Sequence, residues 1–484
     1  MKLSKLIKEI ELKKIIGDLE VDISNLQIDS RKVESGSCFL AVKGRTVDGH
    51  MYINEAIEKG ASAVVLEDFP QELNENVTYI QVESVQKIVG LLASSFYNHP
   101  SRKMKLIGVS GTNGKTTIIT LLYNFFELFG QKAGLIGTVE NYSHTKKIES
   151  THTTPDAISI NKLLNEMVDD GCYYVFMEVS SHAIDQGRIN GLEFAGGIFT
   201  NLTHEHLDYH GTKDKYLETK KKFYDSLPKN SFALINKDDE HYPRIIKNIS
   251  AKLYTYSLSQ EADFKAQVSQ MNLLGTNIFI NKDQMHSNLM GIFNVYNTVA
   301  VFATALLLGV SKDDILKIMP KLKPVRGRLE LVRKNNILGV VDYAHTPDAL
   351  QKVLETINEL KNRDQKVICV VGAGGDRDSS KRPIMAKITH DLAEVAVLTS
   401  DNPRSEDPSK ILEDMIKGVP GVPTNRLYVI QDRKEAIYKA VLLAKPNGVV
   451  VIAGKGHETY QEISGVRYPF NDREVLEEAL NKQY

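Results

Sequence analysis

The sequence predicts an α/β protein built mainly on parallel sheets. Short apolar runs alternate with helical patterns along most of the chain. A glycine-rich turn joins a strand to a helix at residues 106–129, and the last third of the chain contains near-continuous apolar runs. Such runs are typical of parallel strands, which are buried on both faces. The length of 484 residues leaves room for about three domains.

Composition and charge exclude two classes of protein. The 60 basic and 61 acidic side chains leave a formal net charge of −1, and 42% of the residues are hydrophobic. A nucleic-acid binder or a polybasic membrane anchor would show a basic excess. We therefore expect no nucleic acid and no membrane among the partners of this protein.

The cysteines and the apolar stretches indicate where the protein works. Cys38, Cys172 and Cys369 are too few for a disulfide framework or a four-cysteine zinc site, which fits a reducing compartment. The first 15 residues lack the apolar core of a signal peptide. The most apolar stretch, 299–310, is too short to span a bilayer and predicts a buried helix. These observations predict a cytoplasmic protein, and we also expect a monomer.

Two stretches rich in proline, glycine and polar residues, 98–103 and 321–328, divide the chain. The predicted domains are therefore residues 1–98, 99–325 and 326–484.

The first segment predicts an α/β layer, because strands and helices alternate in it. Apolar runs predict strands at 38–42, 62–67 and 77–82, and helical patterns cover 50–59 and 85–98.

The middle segment begins with an apolar strand at 106–110, a glycine turn and a helical stretch from 116 to about 129. Further strands are predicted at 173–179, 196–201 and 232–236.

The third segment predicts a doubly wound sheet, which carries functional loops at the carboxyl ends of its strands. Its strand candidates, separated by helical stretches, are 338–343, 367–374, 394–400, 427–432 and 448–454.

The strongest local motif is a phosphate-binding loop between the strand and the helix of the middle segment. It consists of Gly111, Thr112, Asn113, Gly114, Lys115, Thr116 and Thr117. Glycines let the backbone turn tightly and direct N–H groups at phosphate oxygens, and the helix N-terminus adds its dipole. In such loops the lysine reaches the β- and γ-phosphates, and the following hydroxyl helps to hold Mg²⁺. The motif predicts an ATP or GTP site.

Glu178 follows a predicted strand in the sequence Glu-Val-Ser-Ser-His. A carboxylate at the end of a strand beside a phosphate loop is well placed to hold Mg²⁺. Glu and Ser also cap helices, so a capping role for this segment is an equal alternative.

Further polar candidates follow in the middle segment. Residues 203–210 are rich in His and carboxylates, but an HxH spacing without cysteine is weak support for zinc, and Mg²⁺ suits a phosphate site better. The run 220–222 is three lysines, which by itself favours a solvated helix face. Asn294 and Asn297 precede the apolar helix and either cap it or pair with a purine edge.

Nine motifs stand in the order found in one enzyme family. They are GTNGKTT (111–117), MEVSSHA (177–183), NLTHEHLDYHG (201–211), GIFNVYN (291–297), VRGRLE (325–330), VDYAHTPDAL (341–350), VVGAGGDRD (370–378), DNPRSEDP (401–408) and VIAGKGHE (451–458). Together they resemble the Mur ligases, the ATP-dependent amide-forming enzymes of peptidoglycan precursor synthesis. The resemblance covers the chain from about residue 29 to 473.

The resemblance implies an N-terminal domain for a UDP-N-acetylmuramoyl substrate, a central P-loop ATPase and a C-terminal Rossmann-like domain for the incoming amino acid. It also implies that ATP, with Mg²⁺, phosphorylates the γ-carboxylate of UDP-N-acetylmuramoyl-L-alanyl-D-glutamate. The amine of the incoming amino acid then attacks the acyl phosphate. Both steps depend on positioning and charge neutralisation.

The family pattern also assigns roles to residues. Catalytic and metal-binding roles fall on Lys115, Thr116, Glu178, His206 and Lys220, the last as an N-carboxylated lysine. The remaining nucleotide contacts fall on Asn294, Asn297, Arg328, Asp342 and His345. The uridine substrate is assigned to Ser30, Thr153, Thr154, Ser180, Gln186 and Arg188.

The identity of the incoming amino acid can be argued from the charged groups that its site offers. Diaminopimelate carries an ammonium and a carboxylate at each end, whereas lysine lacks the far carboxylate. A guanidinium binds a carboxylate in a bidentate manner, and the family uses the arginine of DNPR for this contact. The implied site consists of Arg377, Asp401, Asn402, Pro403, Arg404, Gly454 and Glu458, in which Glu458 and the Gly454 backbone suit the far ammonium. This set favours meso-diaminopimelate over L-lysine.

Three alternatives remain at this point. The chain could be a lysine-adding relative or a folylpolyglutamate synthase, although the latter would lack both DNPR and a uridine-nucleotide domain. It could also be a binding protein that uses nucleotide as a switch without catalysis.

Overall fold

The computed structural model of the chain describes residues 1–44, 47–149, 153–203, 207–273, 275–421, 425–444 and 446–482. It confirms the predicted α/β class, with sheets that are largely parallel. The chain forms two compact units, Met1–Lys265 with Val299–Ile318, and Ala266–Thr298 with Met319–Tyr484. The three predicted domains stay a prediction. None of the described helices is both long enough and apolar enough to cross a membrane.

The first unit begins with a five-stranded sheet in the order β1-β5-β4-β3-β2. Its strands are β1 (Lys14–Ile16), β2 (Asn25–Gln27), β3 (Ser37–Leu40), β4 (Ala61–Leu66) and β5 (Thr78–Gln81), and its helices are α1 (Leu3–Leu6), α2 (Ile53–Glu58) and α3 (Val85–Phe96). The predicted helix at 50–59 starts with a 3₁₀ turn at Gly49–Tyr52, and a second such turn, Ser30–Lys32, precedes β3. A further turn at Pro100–Lys103 leads into the next sheet.

The second sheet of the first unit holds the phosphate loop. Its strands are β6 (Lys105–Ser110), β7 (Ala133–Ile136), β8 (Asn141–Ser143), β9 (Lys146–Ile148), β10 (Tyr174–Glu178), β11 (Gly196–Phe199), β12 (Phe232–Asn236) and β13 (Lys252–Ser257). Its helices are α4 (Lys115–Leu128), α5 (Ala157–Asp169), α6 (Ser181–Asp185), α7 (Leu207–His210), α8 (Lys213–Asp225) and α9 (Tyr242–Ile245). The order is β13-β12-β11-β6-β10-β7-β8-β9, parallel from β13 to β7.

This strand order positions the site. Because β6 lies between β11 and β10, the segments after all three strands meet at one edge. Phe199 pairs with Ser110 and Glu178 pairs with Val109, so β6, β10 and β11 end at almost the same level. The predicted strand at 196–201 is two residues too long, because Thr200 and Asn201 leave β11 to contact the phosphate loop.

Three strands and two helices follow, namely β14 (Phe264–Asn272), β15 (Gly275–Ile280), β16 (Asp283–Ser287), α10 (Ile292–Leu307) and α11 (Lys312–Ile318). The three strands form an antiparallel meander. The apolar stretch 299–310 lies largely in α10, and Val299, Val301 and Ala303 are fully buried, which confirms the predicted buried helix. A 3₁₀ turn at Met319–Lys321 follows α11.

The second unit contains a six-stranded sheet in the order β17-β18-β22-β19-β20-β21. Its strands are β17 (Glu330–Lys334), β18 (Ile337–Asp342), β19 (Val367–Ala373), β20 (Val395–Ser400), β21 (Leu427–Val429) and β22 (Val449–Ala453). The helices are α12 (Pro347–Leu360), α13 (Lys381–Leu392), α14 (Pro408–Ile416), α15 (Arg433–Ala444) and α16 (Asp472–Lys482), and a hairpin is formed by β23 (Tyr460–Ile463) and β24 (Val466–Pro469).

The core of this sheet explains its apolar strands. In β22, Val449, Val451 and Ala453 face one hydrophobic cluster, whereas Val450 and Ile452 face the other. All five are fully buried, as expected for a sheet with helices on both faces. Among the described strands of this sheet, β17 alone runs antiparallel to its neighbour. The strand predicted at 427–432 is three residues too long, because β21 ends at Val429. The next residue, Ile430, still donates its N–H to Leu398 O.

One buried ion pair joins two strand ends of this sheet. Arg433, at the start of α15, pairs with Asp472, and both side chains are fully buried. The same guanidinium donates to Ser400 O at 3.3 Å and to Ala453 O at 3.0 Å. These are the last residues of β20 and β22, so Arg433 holds together the two strands whose following loops carry the predicted amino-acid site.

Candidate functional site

The phosphate loop has the backbone that its glycines predict. It joins β6 to α4, and Gly114 precedes the helix with a φ of +90°. Gly111 has a φ of +149°. Side chains with a Cβ rarely adopt such angles, so both positions require glycine. The predicted strand, loop and helix are therefore confirmed at this point.

The loop is held against the end of β11. A Cβ on Gly111 would lie 1.9 Å from Thr200 Oγ1, which leaves no room for a side chain. The Thr112 and Asn113 N–H groups donate to Asn201 O at 2.8 Å and Asn201 Oδ1 at 3.0 Å. The Thr200 hydroxyl donates to Asn113 O at 2.7 Å.

Thr200 and Asn201 were absent from the predicted site. The sequence places both residues at the carboxyl end of a predicted strand. That this strand pairs in parallel with β6, and so brings them to the loop, follows only from the fold.

Two lysines converge on one carbonyl of the loop. Lys115 Nζ donates to Gly111 O at 2.9 Å and to Thr112 O at 2.7 Å. Lys220 Nζ donates to the same Gly111 O at 2.9 Å. Both side chains therefore end beside the loop at which a nucleotide phosphate would bind.

The interpretation of 220–222 as a solvated face is wrong for Lys220 and Lys221, which are both buried. The Lys220 side chain is almost fully buried, whereas Lys222 is exposed. On α8, Tyr216 and Lys220 are four residues apart and share the inner face of the helix. Lys220 Nζ lies 4.7 Å from the Tyr216 ring centre, and the Tyr216 hydroxyl lies 3.2 Å from Thr112 Oγ1. Tyr216 is a further site residue that sequence reasoning missed.

Glu178 points at the start of α4. Its Oε1 accepts hydrogen bonds from Thr116 Oγ1 and from the Thr138 N–H, both at 2.9 Å. The capping alternative is confirmed for Ser180, which is the N-cap of α6 and accepts from the Ala183 N–H, and it is wrong for Glu178. Glu178 thus lies beside the phosphate loop, as the metal-binding interpretation requires.

The surroundings of Glu178 fit a divalent cation. The carboxylate is 1% exposed, and no Lys, Arg or His of the described chain lies within 4.0 Å of it. A buried carboxylate that receives only neutral hydrogen bonds lacks a compensating positive charge. With Thr116 Oγ1 it supplies the oxygen ligands that Mg²⁺ prefers. His206, the third predicted protein ligand, lies outside the described residues, as does the HxH pair considered for zinc.

Five of the six residues predicted for the uridine substrate form one network beside Glu178. The Thr154 hydroxyl donates to Glu178 O at 2.8 Å and accepts from the Ser180 N–H. Arg188 donates to Thr154 O at 2.7 Å and, through Nε and Nη2, to Gln186 Oε1.

The same network reaches two further side chains. Thr153 Oγ1 accepts a hydrogen bond from the Thr138 hydroxyl at 3.0 Å. Burial lowers the pKa of the Arg188 guanidinium, which has no carboxylate bonded to it among the described residues. The network therefore offers a desolvated positive charge to an anionic ligand.

Ser30, the sixth residue of that set, forms hydrogen bonds with residues in and next to α2. Its hydroxyl donates to Glu55 Oε2 at 2.8 Å, and its carbonyl accepts from Lys59 Nζ. It lies in the 3₁₀ turn Ser30–Lys32, which Asp29 caps through the Arg31 N–H.

The predicted amino-acid site lies at the carboxyl edge of the second unit's sheet. Asp401, Asn402, Pro403 and Arg404 follow β20, and Gly454 follows β22. Gly454 has a φ of +117°, and a Cβ there would lie 2.6 Å from Asp401 Oδ2. The two loops therefore touch, which only glycine permits at this position.

Arg404 is held in an unusual backbone conformation. Its φ is +52°, and its N–H and carbonyl form hydrogen bonds with Glu462 O and the Ser464 N–H of the hairpin. Its guanidinium donates to Gly375 O at 2.7 Å. A Cβ on Gly374 would lie 3.0 Å from Arg404 Nη1 and 3.8 Å from Arg377 Cγ, so both predicted arginines flank this glycine.

The loop that carries Arg377 is tied to the DNPR loop. Ser405 donates to both oxygens of Asp376, through its N–H at 3.1 Å and its hydroxyl at 2.7 Å. These bonds, with the nearby arginines, hold the pKa of Asp376 below its usual value. The Gly375 N–H also donates to Asn402 O at 2.9 Å.

Glu458 has a partner that the sequence did not reveal. Its Oε2 accepts from Lys455 Nζ at 2.7 Å and from Asn402 Nδ2 at 2.8 Å. Lys455 is fully buried although it lies in a loop. The motif GKGHE contained this lysine, but nothing in its spacing indicated that it would turn inward.

Arg328, Asp342 and His345 form a second cluster at the end of β18. The Asp342 carboxylate accepts from the Leu329 and Ala344 N–H groups, and burial raises its pKa. The Arg328 guanidinium lies 4.8 Å from the Tyr343 ring centre. Burial raises the pKa of Tyr343 to about 12, and His345 is exposed next to it.

Asn294 and Asn297 lie in the first turns of α10 and are bonded to each other. Asn297 Nδ2 donates to Asn294 Oδ1, and Asn294 Nδ2 donates to Met290 O. Both side chains are at least 94% buried. Their contact with a purine edge stays a prediction.

Comparison with protein families gives matches along most of the chain. Residues 22–97 match the model "Mur ligase family, catalytic domain", residues 109–305 match "Mur ligase middle domain", and residues 327–456 match "Mur ligase, glutamate ligase domain".

Curated relatives match over nearly the whole chain. A protein of Cytophaga hutchinsonii, named UDP-N-acetylmuramoyl-L-alanyl-D-glutamate–2,6-diaminopimelate ligase, is 50% identical over 483 residues, 99% of each chain. Proteins of the same name are 50% identical in Bacteroides fragilis, again over 99% of each chain, and 41% identical in Clostridioides difficile, over the full length of both.

Solved structures agree on the fold. A structure described by the same ligase name is 33% identical, with a TM-score of 0.72 over 99% of each chain. A MurF ligase from Thermotoga maritima in complex with ADP has a TM-score of 0.63 at 19% identity, over 96% of this chain and all of that one. A folylpolyglutamate synthase from Mycobacterium tuberculosis has a TM-score of 0.61 at 15% identity, over 75% of this chain and 91% of that one.

The close contact at Gly111 generates a prediction. The Gly111→Ala change should lower ATP affinity at least about tenfold, because the new Cβ would displace Thr200 and distort the loop. Isothermal titration of ATP measures the affinity. Gly130→Ala is the matched control, since Gly130 has a φ of +82° but open space around it, and affinity should not change. Wild-type affinity in Gly111→Ala would contradict this description of the loop.

Proposed function

The chain belongs to the Mur ligase family, and from this premise we propose that it joins meso-diaminopimelate to UDP-N-acetylmuramoyl-L-alanyl-D-glutamate at the expense of ATP. The observation that carries this proposal is the 50% identity, over 99% of both chains, to ligases named for that reaction. The placement of Arg404 beside Arg377 at one sheet edge supports the choice of amino acid.

The proposed chemistry has two steps. ATP transfers its γ-phosphoryl group to the γ-carboxylate of the D-glutamyl residue, and ADP leaves. The amine of diaminopimelate then attacks the acyl carbon, inorganic phosphate leaves with its carboxylate oxygen, and the amine loses a proton. Neither step needs a covalent bond to the protein, so the side chains act by positioning and by balancing negative charge.

The phosphate loop is proposed to bind ATP through its N–H groups and Lys115. In the structure Lys115 donates to two loop carbonyls, and a phosphate would offer it a stronger, charge-assisted acceptor. Asn294, Asn297, Arg328, Asp342 and His345 are proposed as the remaining nucleotide contacts.

Mg²⁺ is proposed as the metal, held by Thr116, Glu178, His206 and the N-carboxylated Lys220. When bound it supplies positive charge to the phosphate oxygens. The buried Glu178 carboxylate, which has only neutral donors in the described chain, supports a cation at this position.

Lys220 is proposed to act as an N-carboxylated lysine. Carboxylation would convert its buried ammonium into an anion and would end its donation to Gly111 O. Its position, 2.9 Å from the loop carbonyl that Lys115 also contacts, supports a role at the nucleotide phosphates or the metal.

The uridine substrate is proposed to contact Ser30, Thr153, Thr154, Ser180, Gln186 and Arg188. The desolvated Arg188 supports binding of an anionic group there. Diaminopimelate is proposed to contact Arg377, Asp401, Asn402, Pro403, Arg404, Gly454 and Glu458. We expect the protein to work on these small molecules in the cytoplasm, as a monomer and without nucleic acid.

The proposed function predicts which substrates the release of ADP requires. ADP should form only when ATP, the uridine dipeptide substrate and meso-diaminopimelate are all present, and L-lysine in place of diaminopimelate should give at least about a hundredfold lower kcat/KM. Equal rates with lysine would support the lysine-adding alternative. ADP release that ignores both substrates would contradict a ligase and favour a nucleotide switch.

The placement of Arg404 predicts the effect of removing its guanidinium. Arg404→Met keeps the side-chain length but should raise the KM for diaminopimelate about 10- to 100-fold, because the far carboxylate loses a bidentate partner. The KM for ATP should stay within about twofold of the wild type. Arg426→Met is the control, since Arg426 lies at the opposite edge of the same sheet and donates to His390 O. An unchanged KM for diaminopimelate in Arg404→Met would refute the assignment.

A further inference from the structure

Lys455 is a fully buried cation at the edge of the second unit's sheet, one residue beyond Gly454. Its Nζ donates to Glu458 Oε2 at 2.7 Å and to Asn402 Oδ1 at 2.9 Å. A buried ammonium is costly unless it is paired and hydrogen-bonded. The local structure therefore forces these two acceptors to stay in place around Lys455.

Asn402 connects the same group to two other segments. Its Oδ1 also accepts from the Glu462 N–H of the hairpin at 2.9 Å, and its Nδ2 donates to Glu458 Oε2 at 2.8 Å. Asn402 is 2% exposed, and both the oxygen and the nitrogen of its side-chain amide form hydrogen bonds. Lys455, Asn402 and Glu458 are thus a closed triangle that joins the loops after β20 and β22.

The triangle gives the Glu458 carboxylate a fixed orientation. Both hydrogen bonds that reach it fall on Oε2, and within the described chain none falls on Oε1. The side chain is 17% exposed, so it is not completely closed off from solvent. Oε1 is therefore the oxygen that remains for a ligand.

We propose that Lys455 is a positioning residue that holds Glu458 Oε1 and the DNPR loop ready for the ammonium group of the incoming amino acid. The proposal rests on the proposed function, because it names how that site orients its substrate. Lys455 itself does not touch the substrate. Its ammonium fixes one carboxylate oxygen, and that leaves the other to accept a hydrogen bond from the ligand.

The geometry also connects Lys455 to Arg404. Glu462, which donates to Asn402 through its N–H, accepts the Arg404 N–H through its carbonyl at 3.0 Å. Loss of Lys455 would free Asn402 and with it the hairpin residue that holds Arg404 at a φ of +52°. Both ends of the diaminopimelate side chain would then meet less ordered partners.

The test is a double-mutant cycle on the full chain. Lys455→Met, Glu458→Gln and the double variant are assayed for ADP release at saturating ATP and uridine dipeptide substrate, with meso-diaminopimelate varied. Lys455→Met should raise the KM for diaminopimelate about 10- to 100-fold and leave the KM for ATP within about twofold. In the Glu458→Gln background the same change should raise the KM by a clearly smaller factor than in the wild type, because part of the effect of Lys455 passes through Glu458.

Two controls separate positioning from general damage. Lys361→Met removes another Lys–Glu pair, with Glu394, from the opposite edge of the same sheet and should leave the KM for diaminopimelate unchanged. Lys455→Gln keeps a hydrogen-bond donor in a similar volume. It should show a smaller rise in KM than Lys455→Met, and it replaces Lys455→Met if thermal unfolding shows that the methionine variant does not fold.

The outcomes distinguish this proposal from the proposed function. If the wild-type chain does not release ADP in response to diaminopimelate, the proposed function fails. If the wild type is active but the folded Lys455 variants keep its KM for diaminopimelate, the positioning role is wrong and the proposed function stands. The same conclusion follows if the KM increases caused by Lys455→Met and Glu458→Gln multiply fully in the double variant.

Discussion

The contact between the phosphate loop and the end of β11 is the constraint on which the first unit's site depends. Gly111 fits against Thr200 with no space for a Cβ, and the loop N–H groups at 112 and 113 already have acceptors on Asn201. A loop held in this way keeps its shape before any nucleotide arrives. Preorganised N–H groups and dipoles need no reorganisation when charge develops, which is the main contribution that a protein makes to phosphoryl transfer.

The second unit uses the same architectural rule with different chemistry. Its loops follow parallel strands, and the buried Arg433–Asp472 pair holds the ends of β20 and β22 together from behind. On this base the largely buried Lys455–Asn402–Glu458 triangle joins the two loops. The arginine contacts proposed for a carboxylate and the Glu458 contact proposed for an ammonium would thereby be held on the strand ends of one sheet. Fixed charges of this kind would reject an analogue that lacks one charged group.

The sequence predicted the class, most of the buried parallel strands and the phosphate loop, because these depend on local apolar patterns and on glycine. It did not predict the meander β14–β16 or the hairpin β23–β24, whose residues are largely exposed on one face. It did not predict Thr200, Asn201 or Tyr216, because their roles arise from which strands and helices lie beside β6. A run of three lysines looks solvated, yet Lys220 is buried because α8 turns its face inward. Lys455 was missed for the same reason: burial of a polar side chain depends on tertiary contacts that spacing does not encode. The roles taken over from the family resemblance stay proposals, and the burial of Glu178 beside Thr116 supports one of them.

The most direct test of the proposed reaction follows an oxygen atom. The uridine dipeptide substrate is prepared with ¹⁸O in both oxygens of the D-glutamyl γ-carboxylate, and the phosphate released during ligation to meso-diaminopimelate is examined by mass spectrometry. An acyl phosphate intermediate requires each released phosphate to carry one ¹⁸O, because the bridging oxygen comes from the carboxylate. Phosphate without label, formed while the amide product accumulates, would contradict activation of the carboxylate by ATP.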